Sequence, residues 1–148
     1  MKWLLDTNVL SELVREHPHP SVLDFIHETD EDRIFLSAMT WAELRRGIAL
    51  LPSGRKRDRL TTWLEDDVRE RFGARLLPVS IDIADRWGVL MAEAKTSGHS
   101  VSAIDGFLAA TALEHNLHLV TRNSKDFQML GVALFNPWAL ANRAVAPA

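Results

Sequence analysis

Short apolar runs alternate along this chain with longer segments whose apolar positions recur at helical spacing. Trp3-Leu4-Leu5 reads as a buried strand, and a helix follows from about Val9 to Arg15 with Val9, Leu10, Leu13 and Val14 on its apolar side. Pro18 and Pro20 end it, and Pro20 suits the first turn of a second helix reaching about Thr29. Ile34-Phe35-Leu36-Ser37 is the next strand. A third helix, from about Trp41, carries Trp41, Leu44, Ile48 and Leu51 until Pro52 and Gly54 break the pattern. Leu60, Trp63, Leu64, Val68 and Phe72 mark a long fourth helix closed by Gly73. Leu76-Leu77-Pro78-Val79 reads as a strand, and Ile83, Trp87, Leu90, Met91 and Ala94 as a helix ending near Gly98. Another helix runs from around Ser102 to Asn116 on Ile104, Phe107, Leu108, Thr111 and Ala112. A strand at residues 117–121, a short helix at 124–130 and a last strand at 132–135 complete the series. Strands that alternate with helices predict an α/β fold with a central, mostly parallel sheet.

The chain of 148 residues has the size of one domain, with residues 1–140 in the domain and 141–148, small and apolar, expected to be a frayed tail. It has no cysteine, which excludes a disulfide framework, a thiolate zinc site and a cysteine nucleophile, and fits a reducing cytoplasm. Asp6 interrupts the amino terminus before any signal-like apolar region develops, and no later run approaches the length of a membrane span. A soluble cytoplasmic protein is expected. The net charge of −3 argues against a general nucleic-acid coat protein. Charge is unevenly placed, however. From Arg45 to Arg59, six basic residues (Arg45, Arg46, Arg55, Lys56, Arg57, Arg59) face one acid, Asp58, a local charge of +5 that suits either a phosphate backbone or a solvated helix face.

Four distant acids, Asp6, Glu43, Asp105 and Asp126, each fall where a predicted strand gives way to a helix or just inside that helix. Parallel strands end at one sheet edge, where ligand sites gather, so the four are expected to converge. Carboxylates crowded together repel one another unless a cation intervenes, and an all-oxygen donor set suits Mg²⁺ or Mn²⁺ better than Zn²⁺. Such an ion supplies the chemistry of phosphodiester hydrolysis. Capping is the competing account. Thr40-x-x-Glu43, Ser102-x-x-Asp105 and Asn123-x-x-Asp126 all resemble an N-cap followed by an acid three residues on, with Glu43 the best fit to a capping box. Asp6-Thr7-Asn8 offers more acceptors than one cap needs, and Thr121-Arg122-Asn123 forms a similar polar group after another strand. Arg122 suits a phosphate contact or a surface ion pair. The histidines form no zinc motif, and Trp41 and Trp138 suit packing better than base stacking.

Leu5-Asp6-Thr7-Asn8-Val9-Leu10, Thr40-x-x-Glu43-Leu44-x-x-Gly47, Asp105-x-x-Leu108-Ala109-Ala110-Thr111-Ala112 and Thr121-Arg122-Asn123-x-x-Asp126-Phe127 together resemble a PIN domain, closest to the VapC/FitB-like ribonuclease toxins. Phe135-Asn136-Pro137-Trp138 is similar to that subgroup's ending. The resemblance implies a Rossmann-like three-layer sandwich, Mg²⁺- or Mn²⁺-dependent endoribonuclease activity on RNA, a small cognate antitoxin and a homodimer. By position, Asp6, Glu43, Asp105 and Asp126 would form the catalytic metal site. Asp6 and Asp105 would bind metal directly, and Glu43 and Asp126 directly or through water. Thr7, Asn8 and Thr121 would support them; separately, the charge of the basic stretch and the place of Arg122 after a strand suggest Arg45, Arg46 and Arg122 as RNA contacts. Gly106-Phe107 departs from the family's more frequent residues and is expected to alter the pocket. Two alternatives stand beside this. One is a phosphatase with Asp6 as nucleophile, although Asn8 occupies the place where that chemistry generally wants a second Asp. The other is a catalytically silent module that binds a partner helix.

Overall fold

The computed structural model describes residues 1–139, so the expected tail at 141–148 lies outside the described residues. Five short strands, β1 (Trp3–Leu5), β2 (Ile34–Ser37), β3 (Leu76–Leu77), β4 (His118–Val120) and β5 (Leu134–Phe135), form one sheet in the order β3-β2-β1-β4-β5. Every pairing is parallel. Trp3 lies opposite Ile34 on one side and His118 on the other, and Leu5 opposite Val120. The carboxyl ends of β1 and β4 are therefore level, and Asp6 and Thr121 are the next residues out of each strand.

Alternation along the strands feeds two cores. Leu5, Leu36 and Val120 face α1 (Thr7–Leu13), α2 (Pro20–Glu28), α3 (Ala38–Ala49) and the long helix made of α4 (Arg55–Thr62), a π-helical segment (Trp63–Val68) and α5 (Arg69–Phe72). Leu4 and Leu119 face α6 (Ile81–Thr96), α7 (Ala103–His115) and α8 (Ser124–Phe127). Helices thus cover both faces of a parallel sheet, whose strands need that cover because both sides are apolar. Among the described residues, no helix is long and apolar enough to cross a membrane.

Three helix starts differ from the sequence expectation. The first helix begins at Thr7, two residues early, because the Asp6 side chain already caps it. The third begins at Ala38, not Trp41, because Ser37 at the end of β2 accepts from the Met39 amide at 3.0 Å. Thr40 is consequently inside the helix and fully buried, and the expected Thr40–Glu43 capping box does not form. The fourth begins at Arg55, since Arg-Lys-Arg-Asp-Arg has no apolar period for a pattern search to detect.

Gly106 and Phe107 shape the contact between α6 and α7 instead of the pocket. A Cβ at Gly106 would stand 2.6 Å from Met91 Sδ and 2.8 Å from Trp87 Nε1. The Trp87 ring is held, stacked on Phe107 at 4.7 Å and donating to the Ala103 carbonyl at 3.0 Å. Gly106→Ala is expected to destabilise the protein by about 1–3 kcal/mol through overpacking, measurable by denaturant unfolding. An unchanged midpoint would show that Trp87 moves aside freely.

Candidate acidic site at the sheet edge

Asp6 follows β1, and its amide donates to the Val120 carbonyl at 2.9 Å, which extends the ladder to the edge of the sheet. The residue is 6% exposed. One carboxylate oxygen accepts from the Thr7 amide at 2.7 Å; the other accepts from Thr121 Oγ1 at 2.8 Å and Asn8 Nδ2 at 3.4 Å. Asp6 is therefore both a helix cap and a cleft carboxylate. Thr121, fully buried at the end of β4, also accepts from the Asn123 amide at 3.0 Å and Asn8 Nδ2 at 3.4 Å, so the two polar triplets form one network.

Glu43 reaches the same place from α3, where its Oε1 accepts from Thr7 Oγ1 at 2.5 Å. Asp105 comes from the first turn of α7, with its amide donating to Ser102 Oγ at 3.1 Å as the capping pattern predicts. Asp6, Glu43 and Asp105 line one open cleft of about 460 Å³. Asp126 stands apart. It is exposed on α8 and does not line the cleft, and its amide is satisfied by the Asn123 carbonyl, not by a side-chain cap. Its charge nonetheless reaches Asp105.

Burial raises the Asp6 pKa from 3.8 to about 6, against the hydrogen bonds from Thr121 and Thr7, with the charges of Asp105 and Glu43 adding to the rise. Burial also raises Asp105, opposed by its bond with Ser102 and reinforced by Asp126 and Glu43. Among the described residues, no three His, Asp or Glu side chains are placed to close on one metal ion by themselves. Magnesium does not require that, because it retains several waters and takes one or two carboxylates. Carboxylates whose charge is disfavoured by burial and by one another suit a divalent cation held in this way.

Of the arginines expected to meet RNA, Arg122 lines the cleft, its guanidinium lying 5.3 Å from the Trp138 ring centre. Arg45 and Arg46 do not line it, and Arg45 is paired with Glu65 at 2.7 Å. Glu12 and Arg15 line it unforeseen. Glu12 is only 3% exposed; burial works to raise its pKa, but the His19 amide and the Arg15 guanidinium more than offset this and hold it below the usual value. The signal was present in the chain, because position 12 lies three residues after Val9, beside the apolar stripe.

The PIN domain profile matches residues 3–131. The chain belongs to the PIN domain family. Its relatives include the VapC ribonuclease Y4jK of Sinorhizobium fredii, 40% identical over 135 residues that span 91% of this chain and 96% of that protein. Toxin FitB of Neisseria gonorrhoeae is 41% identical over 135 residues, covering 91% of this PIN domain chain and 97% of its own. The crystal structure of FitAcB from Neisseria gonorrhoeae has a similar fold, with a TM-score of 0.87 at 40% identity over 92% of this chain and 98% of that one.

Proposed function

We propose that this PIN domain is a Mg²⁺- or Mn²⁺-dependent endoribonuclease, the toxin of a toxin–antitoxin pair. The observation that carries the proposal is the convergence of Asp6 from the β1–α1 junction, Glu43 from the second turn of α3 and Asp105 from the first turn of α7 on one open cleft at the carboxyl edge of the sheet. The relatives named as a VapC ribonuclease and a FitB toxin support it.

Asp6 and Asp105 would hold the metal, with Glu43 and Asp126 acting directly or through water. When bound, the ion supplies Lewis-acid polarisation of a phosphoryl oxygen and lowers the pKa of water. The rest of the work is positioning. Thr7 and Thr121 fix both oxygens of Asp6, so the carboxylate cannot rotate away, and the Thr7 hydroxyl holds Glu43 against the same helix start. Asn8 joins Asp6 to Thr121 and accepts from the Arg122 amide at 3.4 Å, which ties the acidic centre to the loop after β4 that carries Arg122. Water would attack the phosphorus and the ribose oxygen would depart, in the cytoplasm where RNA is available.

A small antitoxin would restrain the enzyme. Beside the acidic cleft, Leu44, Ile48, Leu51, Leu60 and Trp63 line an apolar groove suited to a partner segment. A homodimer completes the proposal, supported by Ile81 and Val89, which are 84% and 53% exposed on α6.

The test is a substrate panel of single-stranded RNA, single-stranded DNA and a small phosphate monoester, each with Mg²⁺ or Mn²⁺ and with chelator. Internal cuts in RNA alone are expected, and lost in chelator. Phosphate release from the monoester would instead indicate the phosphatase, and inertness towards all three the silent module.

A further inference from the structure

Glu12 is an ionised carboxylate inside the protein, and its surroundings show what the charge is for. Its Oε2 accepts from the His19 amide at 2.8 Å, which ties the end of α1 to the start of α2. A neutral glutamine would meet that structural need. The negative charge adds a hold on Arg15, whose Nη1 lies 3.1 Å and 3.3 Å from the two Glu12 oxygens. A buried charge is expensive unless it is paired, so the partner matters energetically as well as geometrically.

Arg15 itself is 63% exposed. Glu12 engages it through Nη1, and among the described residues Nη2 and Nε remain for another acceptor. Arg15 lines the acidic cleft together with Arg122, and it also lines the adjoining groove that holds Lys56 and Arg59. Three acids alone would repel an RNA backbone, and a planar guanidinium offers paired donors to a phosphate. An exposed arginine ordinarily loses much side-chain freedom when it binds. One anchored at Nη1 has already lost part of it.

We propose that Arg15 binds an RNA phosphate flanking the scissile one, and that Glu12 is the positioning residue that holds Arg15 at the rim of the acidic cleft. The proposal rests on the ribonuclease function above and names the substrate group that this rim recognises.

The experiment compares wild type, Arg15→Ala, Glu12→Gln and the double variant on a labelled mixed-sequence single-stranded RNA. Cleavage is followed at varied RNA concentration, and binding by anisotropy at several salt concentrations. Arg15→Ala is expected to raise KM roughly tenfold with kcat within about threefold, and to flatten the slope of log Kd against log salt by about 0.7, the value for one lost phosphate contact on a single strand. Glu12→Gln should raise KM about threefold, and the double variant should be no worse than Arg15→Ala, because Glu12 acts through Arg15. Unchanged KM in Glu12→Gln, or an effect that adds to that of Arg15→Ala, would overturn its positioning role. Unchanged KM and salt slope in Arg15→Ala, while wild type cuts RNA, would overturn the phosphate contact. A wild type that neither binds nor cuts RNA would overturn this proposal together with the ribonuclease function.

Discussion

Asp6→Asn is expected to lower RNA cleavage by at least about 10²–10³-fold and, at the same time, to make the metal-free protein more stable. Both effects come from one cause. The Asp6 carboxyl has its pKa raised from 3.8 to about 6 by burial and by the neighbouring acids, so the folded protein holds its proton more tightly than the unfolded chain does. Its contribution to stability is full below pH 3.8 and is lost as pH rises through about 6. Above that pH the ionised group costs the metal-free fold up to about 3 kcal/mol. Asparagine removes the charge and keeps an acceptor for the Thr7 amide, but its amide group competes with Asn8 at Thr121 Oγ1, which already accepts from Asn8. A net gain of roughly 1–2 kcal/mol, or about 5 °C in Tm, is expected at pH 7–8, reversing to a loss of about 1–2 kcal/mol near pH 4, where the charge relief is gone and the hydrogen-bonding cost remains. Thermal melts in chelator across that pH range check this. A variant that melts lower than wild type at pH 8 would show that hydrogen bonding, not charge, dominates at Asp6.

Phe127→Ala is expected to cost about 3–5 kcal/mol, the largest stability loss anticipated from a single side chain near the site. Phe127 is fully buried in the core formed by α6, α7 and α8 against Leu4 and Leu119, and it anchors a helix of only four residues. Asp126 precedes it on that helix. Truncation should therefore loosen α8, weaken the influence of Asp126 on Asp105 and reduce metal affinity as well as Tm. Denaturant unfolding alongside Mn²⁺ titration checks both parts. A loss below about 1 kcal/mol would mean that the core collapses into the vacated space.

Much of this organisation was legible because burial leaves a strong imprint on strands and on the ends they present. Trp3-Leu4-Leu5 and Ile34-Phe35-Leu36 are apolar through both faces, as strands covered on two sides must be, and the polar residues that follow them, Asp6 and Ser37, stand out. Asp6 and Asp105 were visible for that reason, since each breaks an apolar pattern, Asp6 just past the end of a strand and Asp105 at the start of a helix. The start of α3 was misplaced because Ser37 doubles as the last strand residue and the helix cap, so two local signals overlap on one side chain. Arg45 and Arg46 looked suited to RNA by charge density, which records composition but not direction; the fold turns Arg45 towards Glu65. Glu12 was missed for the opposite reason. Its place beside the Val9 stripe marks it as inward-facing, but the pattern does not show that the chain turns after α1 and brings the His19 amide and Arg15 to it.

The most direct test of the central claim is to incubate purified, partner-free protein with total RNA in Mg²⁺ or Mn²⁺, beside chelator and Asp105→Asn controls, and to map every new RNA end. Discrete cuts that require the metal and disappear in Asp105→Asn are predicted. RNA left intact by a folded, metal-binding wild type, or cut equally well by Asp105→Asn, would contradict the assignment of the acidic cleft as a ribonuclease site.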